Sequence, residues 1–172
     1  NIVIVDNSKN FIKNKIKKKL IKISKYKLIF IHEKKRGIVN ARNKFLKNTK
    51  KFQPNFISFL DDDCVVDKYW LTNILKIKKN YKVEIITGPQ LYYKKKQSNN
   101  FINYTSFFEK KYNKSLCKVS WAASNNVFIK YSILKKKELF FDNKLNKYGI
   151  GEDQLFFSML KKRGNTILWS EN

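Results

Sequence analysis

Residues 56–70 read FISFLDDDCVVDKYW: a short apolar run, Phe56–Leu60, that ends in three consecutive aspartates. Like charges side by side repel, and burying them costs more still. The chain has thirteen acidic residues against thirty-eight basic ones, so three acids in one row need a cause. A short apolar run that stops at polar residues is the pattern of a strand covered on both faces. The segments on either side extend that pattern. "IVIVD" (Ile2–Asp6), "KLIFI" (Lys27–Ile31) and "VEIITG" (Val83–Gly88) read as further strands. Between them, Phe11, Ile12, Ile16, Leu20 and Ile23 recur at helical spacing, as do Ala41, Phe45 and Leu46, and Trp70, Leu71, Ile74, Leu75 and Ile77. Strands alternating with helices of this length predict an α/β fold with a mostly parallel central sheet flanked by helices.

After Pro89 the rhythm breaks. Residues 92–118 are aromatic and lysine-rich without clean periodicity, which predicts a partly helical insertion or flap. "NNVFIK" (Asn125–Lys130) reads as another strand, "EDQLFFSMLKKRG" (Glu152–Gly164) as a helix closed by Gly164, and "NTILW" (Asn165–Trp169) as a last strand. No repeat or linker divides the 172 residues, so the expectation is a single domain. With 42% hydrophobic residues the chain has material for a core, and no apolar run approaches the ~18 residues of a membrane helix. The sequence has no initiator Met and opens directly in an apolar run, the expectation for a piece of a longer protein.

The formal charge of +25 invites a nucleic-acid reading. Two features oppose it. Only Arg36, Arg42 and Arg163 are arginine, and the lysines are spread along the whole chain. Abundant Lys, Asn, Ile, Phe and Tyr with scarce Ala is the skew of an A/T-rich coding sequence. A basic face drawn to an acidic membrane surface or a polyanionic substrate remains open. Cys64 and Cys117 form no disulfide framework and His32 is the single histidine, which fits a reducing cytoplasm and excludes a His-rich metal site.

In sheets of this class, ligands bind at the carboxyl ends of the strands, where Asp6, Asp61–Asp63 and Gly88 fall. Strand alternation carried past Leu60 would place Asp61 and Asp63 on similar sides and Asp62 away. Two such carboxylates suit a hard divalent cation, Mg2+ or Mn2+, completed by phosphate oxygens. The alternative is a solvated acidic turn capping the next helix, although capping needs one carboxylate and not three. In "RGIVNARN" (Arg36–Asn43) two of the three arginines sit six residues apart. Their planar forks suit phosphate or carboxylate, and the alternative for Arg42 is a structural ion pair. In "YGIGEDQLFF" (Tyr148–Phe157) two glycines precede Glu152 and Asp153 at a helix start, where the dipole favours carboxylates. An aspartate there can take a proton from an alcohol, or the pair can be an ordinary cap. "WAASNNVFIK" (Trp121–Lys130) offers Asn125 and Asn126 to a polar ligand, or is a plain turn.

Taken in order, "IVIVDN", "RGIVNARN", "FISFLDDDCVVDKYWL", "SNNVFIK" and "YGIGEDQLFFSMLKKRG" resemble the family 2 glycosyltransferases, which have the GT-A nucleotide-sugar-binding fold. The combination looks closest to the glucosyltransferases of succinoglycan-type bacterial exopolysaccharide assembly. The resemblance implies an inverting, metal-dependent transfer from a UDP-sugar or other nucleotide-sugar donor to a saccharide or lipid-linked acceptor. It assigns Asp6 to the nucleotide base, Arg36 and Arg42 to the neighbourhood of the nucleotide, and Asn43 to supporting that loop. Asp61 would face the ribose and the metal, Asp62 would adjoin the nucleotide-sugar, and Asp63 would ligate Mn2+ or Mg2+. Asn125 and Asn126 would line the donor site, Asp153 would be the general base, and Glu152 would shape the acceptor pocket. It implies no nucleic-acid partner, a cytoplasmic location at the inner face of the membrane, and a domain shortened at both ends. Family members begin with an earlier strand ending in T-x-N and continue past "WSEN". Two rivals stand beside it. A divalent-metal phosphotransfer enzyme or nuclease explains the aspartates but not the paired arginines or "GIGED". A non-catalytic basic module explains the charge but sets the acidic cluster against its own ligand.

Overall fold

The computed structural model describes residues 1–90, 115–135 and 139–171. The predicted insertion at 92–118 therefore lies largely outside the described residues. The chain divides into two compact units, one of residues 1–55 with 134–156, the other of residues 56–133 with 157–172.

In the first unit, β1 (Ile2–Asp6) pairs in parallel with β2 (Leu28–His32), and α1 (Asn14–Ile23) is the crossover between them. The helix is there because parallel strands need a crossover of a dozen or more residues. α2 (Ile38–Thr49) follows β2, and its inner side buries Val39, Arg42, Asn43, Leu46 and Thr49. A 3-10 turn at Asn143–Lys147 contacts α2. Phe141 and Phe156 stack at 4.1 Å between ring centres, and both are almost fully buried.

In the second unit, β3 (Phe56–Phe59), β4 (Ile85–Thr87), β5 (Lys118–Val119), β6 (Val127–Lys130) and β7 (Ile167–Trp169) form one sheet in the order β3-β6-β4-β7-β5. Only β4 and β7 run parallel; β6 is antiparallel to both β3 and β4, and β5 to β7. This corrects the expectation of a mostly parallel sheet: the fold is α/β with a mixed sheet. The physical reason lies at Pro89. Parallel pairing needs a crossover helix, and both strands that run against their neighbours, β5 and β6, come after the strand–helix rhythm has stopped.

α3 (Trp70–Asn80) covers one face of this sheet. Ile74 and Ile77 pack on Ile86, Phe128 and Leu168, with Phe56, Trp70 and Val83 at the margin. Each such side chain taken from water stabilises by about 1.5–3 kcal/mol. Alternation puts Ile57, Ile85, Val127, Ile129 and Ile167 on the opposite face, where all are buried. A short helix, α4 (Tyr131–Lys135), leaves β6, and α5 (Glu152–Lys162) precedes β7. Among the described residues no helix is long and apolar enough to cross a membrane.

The sheet end beyond β4 is tight. Ser170 donates its backbone N–H to Thr87 at 2.8 Å, so the β7 strand passes close to Gly88. A Cβ on Gly88 would lie 2.7 Å from the Ser170 carbonyl oxygen and 3.1 Å from Asn126 Nδ2. The obstruction is backbone, which cannot swing aside. Gly88→Ala should therefore cost about 1–3 kcal/mol, the scale of overpacking, read as a lower urea midpoint. A midpoint equal to wild type would show that the strand ends are not so constrained.

Candidate functional site

Within the first unit, β1 ends in Asp6, whose two oxygens accept backbone N–H groups from Ser8 (2.9 Å) and Ile12 (2.7 Å). The carboxylate thus closes the loop that leads into α1. Its pKa is held below the ordinary carboxylate value. Hydrogen bonding from the Ser8 side chain is the largest cause, partial burial opposes it, and the Ser8 and Ile12 N–H groups and His32 add to the lowering. The Ser8 hydroxyl also points at the Asn10 carbonyl, at 2.7 Å, so the two backbone donors are the contacts the geometry secures.

The neighbouring loop carries Arg36 and Gly37. Gly37 caps α2 at a φ of +109°, a conformation that side chains disfavour, and a Cβ there would run into the Asn146 amide. Asn7 donates to the Gly37 carbonyl (3.0 Å), and Asn40 (2.7 Å) and Asn146 (3.0 Å) both donate to the Arg36 carbonyl. The backbone is fastened while the Arg36 side chain stays exposed, with no ion pair to any described residue.

One turn later, Arg42 is 7% exposed and its Nη1 reaches Glu152 Oε1 at 2.9 Å and Asp153 Oδ1 at 2.7 Å. Of the two roles the sequence left open for Arg42, the structure displays the ion pair. Its guanidinium also lies 5.5 Å from the Phe141 ring centre. Asn43 pairs with the Phe141 backbone as a strand would, donating Nδ2 to the carbonyl (2.9 Å) and accepting the N–H (2.8 Å). Glu152 and Asp153 open α5, where the helix dipole adds to the stabilisation of their charge. Glu152 Oε2 is buried and has no hydrogen-bond partner among the described residues.

Within the second unit, β3 stops at Phe59, and the Cys64 N–H bonds the Asp61 carbonyl at 3.2 Å. Residues 61–64 are a turn, so strand alternation does not run through the aspartates, contrary to the expectation. Asp61 is half-buried, and Asp62 and Asp63 are exposed. The Cys64 sulfur lies 3.8 Å from Asp63 Oδ1 and 3.8 Å from Asn125 Nδ2. Burial pushes the Cys64 thiol up, the Asp61 and Asp63 charges push it further, and hydrogen bonds from the Asp61 backbone and Asn125 oppose them.

The two asparagines divide. Asn126 accepts from Trp70 Nε1 (2.8 Å), donates to the Pro89 carbonyl (2.7 Å), and its own carbonyl takes the Thr87 hydroxyl (2.9 Å). Its amide is engaged at both ends within the sheet. Asn125 accepts from Gln90 Nε2. Gln90 and Trp70 are participants that sequence reasoning missed; Trp70 was read only as part of a helix by its spacing, and Gln90 carries no signal in a stretch without pattern.

No group of three or more His, Cys, Asp or Glu side chains among the described residues is gathered to hold a metal ion. An all-protein cage is therefore lacking there. The donors of the Asp61–Asp63 turn are all hard carboxylate oxygens, which fits Mg2+ or Mn2+ held by one or two carboxylates and completed by phosphate oxygens and water.

The mixed α/β architecture is of the GT-A-like class. Two structures of S. aureus TarS 1–349 share it: the complex with UDP (TM-score 0.73, 17% identity) covers 99% of this chain and 48% of that one. The complex with UDP-GlcNAc (TM-score 0.67, 15% identity) covers 99% and 46%. A197 from STIV is similar over 84% of this chain and 69% of its own, with TM-score 0.52 and 19% identity. The chain thus spans about half the length of the TarS fragments. No curated protein matches significantly. The model of glycosyl transferase family 2 matches residues 1–141, and the chain belongs to that family. Glu152 and Asp153 lie beyond the matched residues, and Arg42 ties them to it.

Two consequences are measurable. Removing the Arg42 cation leaves Glu152 and Asp153 as uncompensated neighbours, so Arg42→Met should lose about 3–5 kcal/mol in urea unfolding. Loss of under about 1 kcal/mol would show that the pair is dispensable to the fold. For Asp6, a folded pKa below the unfolded value means stability that is present above the unfolded pKa. It is lost as pH falls through the folded one. Asp6→Asn should lower the urea midpoint at pH 7, and the difference from wild type should shrink below about pH 4.

Proposed function

We propose that the chain is an inverting, metal-dependent glycosyltransferase that moves a sugar from a nucleoside-diphosphate donor to a saccharide or lipid-linked acceptor. The single observation that carries the reading is the family match over residues 1–141, within which Arg42 anchors Glu152 and Asp153 at a helix start. The donor class follows from the TarS structures, which are complexes with UDP and UDP-GlcNAc, and we take a UDP-sugar as donor.

In this reading Asp153 accepts the proton of an acceptor hydroxyl. The oxygen attacks the anomeric carbon while the bond to the nucleoside diphosphate breaks on the opposite face, which inverts the configuration. Arg42 holds Asp153 in place and keeps its carboxylate charged. Glu152, fixed through Oε1, shapes the acceptor side of the site. Asp63, with Asp61, would hold the cation, which when bound neutralises charge on the departing diphosphate. Asp62 adjoins that seat. Asp6, Arg36 and Asn43 serve the nucleotide side, Asp6 and Asn43 by shaping loops and Arg36 through its exposed guanidinium. Asn125 presents its amide to the donor, and Asn126 positions it. We take the reaction to serve cell-surface polysaccharide synthesis, with nucleotide sugar drawn from the cytoplasm at the inner face of an acidic membrane, a reading supported by the sequence motifs shared with succinoglycan-type enzymes.

Calorimetric titration with UDP-sugars, with and without Mn2+, tests this directly. Binding should require the metal and fall at least about ten-fold in Asp63→Asn, the effect of losing a ligand from a two-carboxylate site. Asp153→Asn should keep donor binding and lose about 10²–10⁴-fold in UDP release with acceptor present, the range of general-base catalysis. Metal-independent binding shared by wild type and Asp63→Asn would remove the metal assignment, and full transfer by Asp153→Asn would remove the base.

A further inference from the structure

Between residues 7 and 32 the chain carries nine lysines and no acidic residue. These lysines cluster around one element, α1, with no acid among them. α1 has no fully buried residue. Its inward side is Lys17 and Leu20, both half-buried, and the Lys17 ammonium sits 3.6 Å above the Phe11 ring centre. At 100° per residue, Lys15, Lys18, Lys19 and Lys22 form one continuous stripe on the outside. Beside that stripe, Ile16 (47% exposed) and Ile23 (69%) stand seven residues apart on the same side of the helix, and Tyr26 (66%) follows the helix end.

A solvated helix face normally mixes charges of both signs. This one pairs a cation stripe with a bare apolar edge. We infer that α1 is the surface by which the protein docks on an anionic membrane, lysines against lipid phosphates and Ile16, Ile23 and Tyr26 in the headgroup boundary. The inference deepens the membrane part of the proposed function and rests on it. Lipid is the occupant because it satisfies both halves. A soluble polyanion would neutralise the lysines and leave the isoleucines in water.

The test is sedimentation of the chain with vesicles of phosphatidylcholine alone or with phosphatidylglycerol. The unaltered chain should bind the anionic vesicles at least about ten-fold more tightly, and added salt should weaken it. Lys15→Glu/Lys19→Glu/Lys22→Glu should abolish the preference. Ile16→Ser/Ile23→Ser, with charge unchanged, should weaken vesicle binding several-fold and leave binding to soluble polyphosphate as it was. Lys76→Glu/Lys79→Glu/Lys82→Glu, an equal charge change at exposed positions on and after α3, should have less effect than the α1 triple. Ile23→Trp should show a blue-shifted emission on anionic vesicles only.

If no form binds either vesicle, the inference and the membrane reading both fall. If the α3 triple abolishes binding and the α1 triple does not, membrane binding stands and α1 is the wrong surface. If the isoleucine pair changes nothing, or Ile23→Trp shows no shift, the attraction is charge alone and lipid docking by α1 is overturned.

Discussion

One guanidinium, that of Arg42, faces two carboxylates, Glu152 at 2.9 Å and Asp153 at 2.7 Å, from a position only 7% exposed. A lone buried carboxylate would give up its charge, and two adjacent ones would repel. The cation offsets the repulsion between the two carboxylates, and the first turn of α5 adds the favourable end of its dipole. Asn43, the next residue, fixes Phe141 by two backbone hydrogen bonds, and Phe141 stacks on Phe156 one turn into the same helix. Successive residues of α2 therefore determine both where α5 begins and what charge it presents. A single guanidinium nitrogen, Nη1, serves both acids.

The second unit solves a different problem. Its strands are two to four residues long, too short for the ladder to define their ends alone. Asn126 supplies the missing constraint by joining Trp70 of α3, Thr87 of β4 and the Pro89 carbonyl. The turn at residues 61–64 leaves the sheet beside this fastening, with Asn125 reaching Cys64. At this point the scaffold is fixed by an uncharged amide, which needs no counter-ion.

Strand and helix positions were legible because apolar runs and helical spacing are local properties; β1 spans Ile2–Asp6 as its sequence indicates. Strand direction was not. Whether β6 enters antiparallel depends on the path of the preceding segment, and no periodicity encodes that path. The aspartate turn was misread for a related reason: alternation holds only while the ladder continues, and it ends at Phe59. Arg42 was found by its rarity in a lysine-rich chain, yet its partner was undetermined, because the fork suits phosphate and carboxylate equally. Burial decides between them, and burial is a property of the fold. Asn43 and Asn126 show the limit from the other side. Both were singled out for a ligand, and in a chain rich in asparagine nothing local shows that their amides bond to the protein's own backbone.

The same composition sharpens the meaning of the acids. In a chain drifting toward lysine, a retained carboxylate needs a function that the drift does not supply. Asp6, Glu33, Asp67, Glu84 and Asp142 each accept backbone N–H groups that close a turn, a helix start or a strand end. Glu152 and Asp153 take Arg42. Asp63 differs: among the described residues its recorded hydrogen-bond contact is the Cys64 thiol at 3.8 Å, too long and too weak to hold a carboxylate. It stands exposed beside two more acids, where repulsion is relieved only by solvent or by an outside cation. A structural acid is bonded inward, and this one is not. Asp62 and Asp63 in "FLDDDC" are exposed, so solvent relieves the repulsion between them, while Asp61 is half-buried.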